Sequence, residues 1–151
     1  MKSLVSFYSR TNITKKLAER IAGETGADIE EIKPVNDYGG KLGYARGGKD
    51  AIRSKLVELE ALKFDPADYD VVYLGTPVWA SRMSAPLFSY IKQNEGKFTN
   101  VKFFVTAGGT GFDSTLKQME EATSKPLSTL ALTTKEVKKD EFEDRLIEFL
   151  R

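Results

Sequence analysis

The sequence contains neither cysteine nor histidine. Without cysteine, the chain forms no disulfide, offers no thiolate nucleophile and holds no cysteine-ligated zinc or iron–sulfur cluster. Without histidine, it lacks the usual general base near neutral pH and the commonest metal ligand. Chemistry on this chain must therefore use an all-carboxylate metal site or a group that is not a side chain, which favours an organic cofactor.

An excess of charge and long apolar runs are also missing. Lys+Arg 23 and Asp+Glu 22 leave a formal net charge of +1, so no global field attracts nucleic acid or an anionic membrane. No apolar run approaches membrane-spanning length, and the N-terminal apolar stretch is not followed by a small-residue cleavage site. We expect no nucleic-acid partner, no membrane span and a cytoplasmic protein.

Length and composition fit one domain. The 151 residues are 40% hydrophobic, which is enough for one compact unit to bury most of its apolar surface. No linker, repeat or low-complexity tract divides the chain, so we expect a single domain over residues 1–151.

Short apolar segments alternate with helical patterns along the chain. The segments are bounded by turn residues and are typical of buried parallel strands. The clearest helical spacing is that of Ile13, Leu17 and Ile21, and it ends at Gly26, a residue favoured just beyond a helix. This alternation predicts an α/β fold with a parallel sheet covered on both faces. The predicted strands are residues 3–8, 27–33, 71–74, 101–106 and 127–132, of which the second and fifth give the weakest signals.

A glycine-rich segment at residues 38–62 departs from this pattern. A candidate helix at residues 41–56 includes Gly43, Gly47 and Gly48, and each interior glycine costs a helix about 1 kcal/mol relative to alanine. Either the helix is broken or its packing requires small residues. The role of the segment stays open.

Hydroxyl and amide side chains follow the first strand. A helix N-terminus has free N–H groups and a favourable dipole for a phosphate, and hydroxyl groups add further donors. Ordinary N-capping by Thr11 or Thr14 is the alternative, and this loop alone does not decide between them. The loop consists of Ser9, Arg10, Thr11, Asn12, Ile13 and Thr14.

Two further loops are predicted at the same edge of the sheet. The only Trp lies in the first, where its indole could stack on a flat heteroaromatic ring or fold back as a hydrophobic lid. The second is glycine-rich, which lets its backbone approach a ring closely, and it leads to Asp113 as a predicted N-cap. The candidate residues are Thr76, Pro77, Val78, Trp79 and Ala80, then Gly108, Gly109, Thr110, Gly111 and Phe112.

These motifs resemble those of the flavodoxin family. The first loop is similar to its Ser/Thr-x-Thr-Gly-Asn-Thr phosphate motif, with Asn12 in place of Gly and Ile13 in place of Asn; Asn tolerates the positive φ that such a turn needs. The second is similar to its Gly-Thr/Ser-Pro-Val-Trp-Ala loop. The resemblance implies a three-layer sandwich with a five-stranded parallel sheet of order 2-1-3-4-5. It also implies FMN, with its phosphate at residues 9–14, its flavin at residues 76–80 and residues 108–112 closing the site.

Other folds of similar pattern lack their required residues here. A response-regulator receiver needs acidic residues where Ser9, Arg10 and Gly75 stand, and the glycine patterns of dinucleotide-binding and NTPase loops are absent from the required context. We expect an FMN-binding redox protein that transfers electrons between a reduced donor and an acceptor. An NAD(P)H-dependent FMN/quinone oxidoreductase and a flavin-free scaffold are the alternatives. Near-neutral charge departs from the acidic character usual in flavodoxin carriers.

Overall fold

A parallel sheet forms the middle of the computed structural model, which describes all 151 residues. The predicted α/β fold and the 2-1-3-4-5 order of the five parallel strands are confirmed, and the two weakest strands lie at the edges. One short strand is additional and pairs antiparallel with β3. The strands are β1 (Ser3–Phe7), β2 (Asp28–Glu31), β3 (Val71–Trp79), β4 (Arg82–Met83), β5 (Val101–Ala107) and β6 (Thr129–Thr133), with the parallel order β2-β1-β3-β5-β6.

Helices follow the strands. Gly26, at φ 70°, ends the first helix as predicted, and the Ser84 hydroxyl caps the third by accepting a hydrogen bond from the Leu87 N–H. The fifth helix, in the charged run near the C-terminus, was not predicted. No helix combines the length and the apolar character that a membrane crossing needs. The helices are α1 (Ile13–Thr25), α2 (Gly40–Ile52), α3 (Ala85–Gln93), α4 (Phe112–Ala122), α5 (Thr134–Lys138) and α6 (Glu143–Leu150).

Apolar side chains cover both faces of the sheet. Because successive residues of a strand point to opposite faces, neighbours such as Phe103 and Phe104 enter different clusters. One cluster joins the sheet to α1 and α6 through residues such as Leu17 and Phe149. The other joins it to α3 and α4 and includes the fully buried Tyr90. The layers leave the carboxyl ends of β1, β3 and β5 at one edge.

The region after the third predicted strand is a strand and not a loop. The prediction ended this strand at Leu74, but β3 continues to Trp79 because it pairs with β5 as far as Pro77 and then with β4. Only Ala80 and Ser81 form the turn, at φ 51° and 64°. The proposed loop Trp is therefore the last residue of a strand in a β-hairpin.

The predicted cap of the fourth helix is also wrong. The helix begins at Phe112 with Gly111 as its N-cap, and Asp113 lies in its first turn. Gly111 has φ 87°, a conformation that glycine adopts without strain. Asp113 still interacts favourably with the helix dipole from this position.

Within the glycine-rich segment, Gly40–Ile52 form one unbroken helix, which ends four residues before the predicted end at residue 56. A Cβ on Gly43 would overlap the Tyr38 backbone, and one on Gly47 would lie 2.9 Å from the Trp79 ring. The helix therefore uses these glycines to pack closely on the residues beneath it. Ser54, at φ 48°, follows its end.

Candidate functional site

The loop after β1 ends in an unusual helix start. Asn12 is the N-cap of α1, at φ 67° and ψ 8°, and its side chain makes no capping hydrogen bond. Neither Thr11 nor Thr14 caps the helix. The main-chain N–H groups of Thr11 and Asn12 donate to no protein atom, and those of Ile13 and Thr14 precede any intrahelical acceptor. Four adjacent N–H groups are thus free to bind an anion.

The side chains of this loop differ in burial and in their hydrogen bonds. Thr11 and Asn12 are exposed, whereas Thr14 is buried and its hydroxyl lies 2.8 Å from the Thr106 hydroxyl of β5. Ser9 Oγ accepts a hydrogen bond from the Lys15 N–H at 3.1 Å. The Thr14 hydroxyl thus joins the loop to the end of β5, and Thr11 keeps its own hydroxyl free.

Arg10 turns towards the glycine-rich helix. Its Nε donates to the Tyr38 carbonyl at 2.8 Å, and its terminal nitrogen donates to the Gly40 carbonyl at 2.9 Å. The guanidinium also lies 5.3 Å from the centre of the Tyr44 ring. Arg10 therefore ties the β1 loop to the start of α2.

Thr76 differs from the other candidates because its side chain is fully buried. Its Oγ1 donates to Ser84 Oγ at 2.9 Å and accepts from the Ser84 N–H at 3.0 Å. These bonds hold the β3–β4 hairpin and the start of α3 together. The Thr76 hydroxyl therefore bonds within the hairpin. Its predicted contact with a ligand stays a prediction.

Trp79 packs into an aromatic cluster. The residue is 9% exposed, and its ring meets Tyr8 and Tyr38 edge-on, at centroid distances of 5.3 and 4.9 Å. Gly47 lies against the same ring. Burial, with Asp37 nearby, raises the pKa of Tyr8, whose buried hydroxyl has no hydrogen-bond partner. The indole is therefore a fixed wall of the site and not a free platform.

A groove of about 520 Å³ runs between α2 and the end of β3. The α2 wall was missing from the predicted site, although a signal for it existed: five basic residues and one acid stand between residues 39 and 56. Helix α2 of the glycine-rich segment therefore lies beside the candidate site and forms one wall of the groove. Its lining residues are Tyr44, Ala45, Gly48, Lys49, Ile52, Arg53, Val78, Trp79 and Ala80.

The glycine-rich loop after β5 lies against the β3–β4 turn. A Cβ on Gly111 would stand 2.8 Å from Val78 Cγ1, and the Ser114 hydroxyl donates to the Ser81 carbonyl at 2.8 Å. Gly108, Gly109 and Thr110 are exposed. Phe112 and Pro77 are half-buried, as is Ile13, and Phe112 packs against the core.

The three predicted loops therefore meet at one edge of the sheet. Thr14 and Thr106 join the first to the third, while Val78 and Gly111 join the second to the third. In open parallel sheets, ligands bind at this edge, where the strand order reverses between β1 and β3. A sequence model of the family described as Flavodoxin matches residues 2–146. The chain belongs to the flavodoxin family.

Solved structures of flavoproteins resemble this flavodoxin-family chain. A flavoprotein in complex with FMN from Lactobacillus acidophilus NCFM has a TM-score of 0.73 at 24% identity, over 91% of this chain and 97% of its own. A flavoprotein from Bacteroides uniformis reaches 0.78 at 22% identity, over 93% and 97%. An azoreductase from Bacillus anthracis str. Sterne reaches 0.53 at 14% identity, over 99% and 95%. None of the curated proteins matches the chain significantly.

Arginines without a carboxylate partner lie beside this flavodoxin-family site. Three of the seven arginines form ion pairs with acids, and all three are remote from the site. The four unpaired ones surround α2 and the hairpin. Two acids lie among them: Asp50 is buried and accepts a hydrogen bond from the Tyr38 hydroxyl at 2.7 Å, and Asp37 adjoins Tyr38. The unpaired arginines are Arg10, Arg46, Arg53 and Arg82.

Proposed function

We propose that this chain is an FMN-binding redox protein that transfers electrons between a reduced donor and an acceptor. Membership of the flavodoxin family supports this proposal, as does the similar flavoprotein in complex with FMN. When bound, FMN supplies the chemistry of hydride and electron transfer, which explains why the chain needs neither His nor Cys. The protein's own residues supply binding, orientation and electrostatics.

The observation that carries the proposal is the set of four free N–H groups at the start of α1. They face an edge where the Asn12 turn leaves them without protein acceptors, and a phosphate at this position also gains from the helix dipole. The free Thr11 hydroxyl adds a donor. In this proposal Ser9, through its bond to the Lys15 N–H, keeps the loop in shape.

The ring system of the cofactor is assigned to the hairpin and the loop beside it. Val78, Trp79 and Ala80 present an apolar edge with main-chain groups, and Gly108, Gly109 and Gly111 offer backbone without side-chain bulk. Such a surface suits a flat ring with a polar border. Trp79, held by Tyr8 and Tyr38, would limit the access of water from the α2 side.

Comparison of FMN with riboflavin tests this assignment, because only FMN carries the phosphate. The purified protein should bind FMN and quench its fluorescence. Thr11→Ala should weaken FMN about tenfold, the worth of one charge-assisted hydrogen bond, and leave riboflavin unchanged. Thr25→Ala is the control, since its hydroxyl donates to Ile21 at the other end of α1. Equal losses for both ligands would contradict the phosphate assignment, and no uptake of FMN would contradict the function.

An NAD(P)H-dependent oxidoreductase is the second candidate, and the unpaired arginines favour it. An acidic protein surface suits docking to basic redox partners, whereas cations beside the site suit an anionic donor such as NADPH or NADH. Anaerobic mixing of the FMN-loaded protein with each nucleotide separates the candidates. Rapid loss of flavin colour supports an oxidoreductase, and persistence of the colour supports a carrier that is reduced by another protein.

A further inference from the structure

The groove between α2 and the hairpin has walls that the proposed FMN contacts do not use. We propose that it is a second binding site, beside the cofactor, for a planar aromatic anion such as an aromatic carboxylate. This inference rests on the proposed function, because the groove shares Val78, Trp79 and Ala80 with the assigned flavin site. It adds a ligand class to that function.

The apolar walls indicate a flat, hydrophobic body. Tyr44 and Ile52 are 69% and 63% exposed, although large apolar side chains gain by leaving water. They stand across the groove from Val78 and the edge of Trp79. An aromatic ring placed between these walls would bury Tyr44 and Ile52 and would contact two aromatic side chains, Tyr44 and Trp79.

The cations of the groove indicate a negative charge on that body. Lys49 and Arg53 line it, and neither forms an ion pair or a side-chain hydrogen bond within the chain. Arg82 lies nearby, donates to Ser54 just beyond α2 and keeps its buried Nε without a partner. The nearest acid on the helix, Asp50, is occupied by Tyr38. A carboxylate would therefore meet cations that have no competing partner.

The floor of the groove on the helix side is Gly48. A Cβ at this position would have no heavy atom within 4 Å, so a larger side chain fits the helix while it occupies the groove. Gly23 offers a matched position, because it too lies inside a helix with open space around its Cβ. It stands on α1, away from the groove. The pair separates blocking of the groove from effects of a bulky helical residue.

The first arm of the test compares 2-naphthoate with 2-naphthamide, its neutral counterpart of similar shape. Binding to the FMN-loaded protein is measured by calorimetry at low and high salt. We expect 2-naphthoate to bind about tenfold more tightly than 2-naphthamide, because its carboxylate adds a charge-assisted contact. High salt should reduce this difference in affinity. Equal affinities for the two compounds would overturn the proposal.

The second arm removes the charges. The double variant Lys49→Gln, Arg53→Gln should lose the preference for 2-naphthoate and keep its affinity for 2-naphthamide. The control Lys138→Gln, Lys139→Gln changes the net charge equally, at exposed residues at the end of α5, which packs against α1 and β6. It should keep the preference. An equal loss in the control would show that only the overall charge matters, which overturns a specific site.

The third arm blocks the groove. Gly48→Phe should abolish binding of both naphthalene compounds while FMN uptake persists, and Gly23→Phe should leave both unchanged. If Gly48→Phe also prevents FMN uptake, the groove holds the flavin itself; the inference then fails and the proposed function stands. If the unaltered protein takes up no FMN, both fail.

Discussion

Asn12 holds the turn on which the phosphate loop depends. Its φ of 67° is a conformation that costs most residues about 1–2 kcal/mol, and asparagine and glycine the least. We expect Asn12→Val to lower the free energy of unfolding by about 1–2 kcal/mol and to weaken FMN binding. Asn12→Gly should change stability by less than about 1 kcal/mol, because glycine adopts this turn freely.

Urea unfolding and FMN titration measure these effects. Asn36→Val is the control, since Asn36 is exposed and does not lie in the left-handed region. It should change neither quantity appreciably. If Asn12→Val kept the stability and FMN affinity of the unaltered protein, the turn would not be what organises the free N–H groups.

The difference between Asn12 and Thr76 shows what the sequence could reveal at this scale. The positive φ of Asn12 was expected, because the requirement is local and few residue types tolerate it. The role of Thr76 was not, because it depends on Ser84, which the hairpin brings back to within 2.9 Å. A motif places a residue near a site without deciding where its hydroxyl points.

Helix α2 depends on two adjacent glycines with opposite roles. Gly47→Ala would place a methyl group 2.9 Å from the Trp79 ring, and such overpacking costs about 1–3 kcal/mol. Gly48→Ala meets nothing within 4 Å and should gain up to about 1 kcal/mol from helix propensity. The two variants carry the same chemical change, so thermal unfolding should move in opposite directions.

Trp79 reports on this packing directly because it is the only tryptophan. Its fluorescence should shift towards that of an exposed indole in Gly47→Ala and remain as it is in Gly48→Ala. If the two variants had similar stabilities and the Trp79 fluorescence did not change in either, α2 would not pack against the indole through Gly47.

The same helix marks the limit of prediction at the scale of elements. The glycines argued against an unbroken helix within residues 41–56, yet Gly40–Ile52 form one because Tyr38 and Trp79 leave space only for glycine beside them. The end of β3 was missed for a related reason. Its last residues pair with β4 in a hairpin, a contact that lies beyond the apolar segment from which the strand at residues 71–74 was predicted.

At the scale of the molecule, strand alternation and the family motifs were enough to predict the sheet order and the edge at which the three loops meet. Both signals are local patterns that can be read directly along the chain. The groove could not be predicted, because its two walls lie about 30 residues apart and meet only through the packing of α2 on Trp79. The FMN contacts stay a prediction from the motifs. For Thr76, whose hydroxyl bonds to Ser84, the predicted contact is one of its main-chain atoms.

Buried tyrosines give the whole molecule a predicted alkaline limit. Burial raises the pKa of five of the six tyrosines, and for Tyr69, where Asp28 also accepts its hydrogen bond, to about 12. Lys102 acts in the opposite sense, because burial lowers its pKa, but it is a single group. The five tyrosines are Tyr8, Tyr38, Tyr69, Tyr73 and Tyr90.

Raised tyrosine pKa values mean that the unfolded chain loses its protons first. Below about pH 10, the ordinary tyrosine pKa, the folded and unfolded chains both hold these protons, so the tyrosines do not change the free energy of unfolding. Above it, the unfolded state binds fewer, so the free energy of unfolding falls by about 1.4 kcal/mol per pH unit for each tyrosine. The five tyrosines act in the same direction, so stability should fall as the pH rises above the ordinary tyrosine pKa.

Ultraviolet absorption of tyrosinate and circular dichroism, followed together as the pH rises, check this limit. We expect most of the tyrosinate signal to appear with the loss of helix, in one cooperative step. Tyr90→Phe should lower the pH dependence of unfolding by one proton, because Tyr90 is fully buried against the Ser6 hydroxyl at 2.8 Å. Gradual ionisation of all the tyrosines near pH 10, with the helices intact, would show that burial does not control their protons.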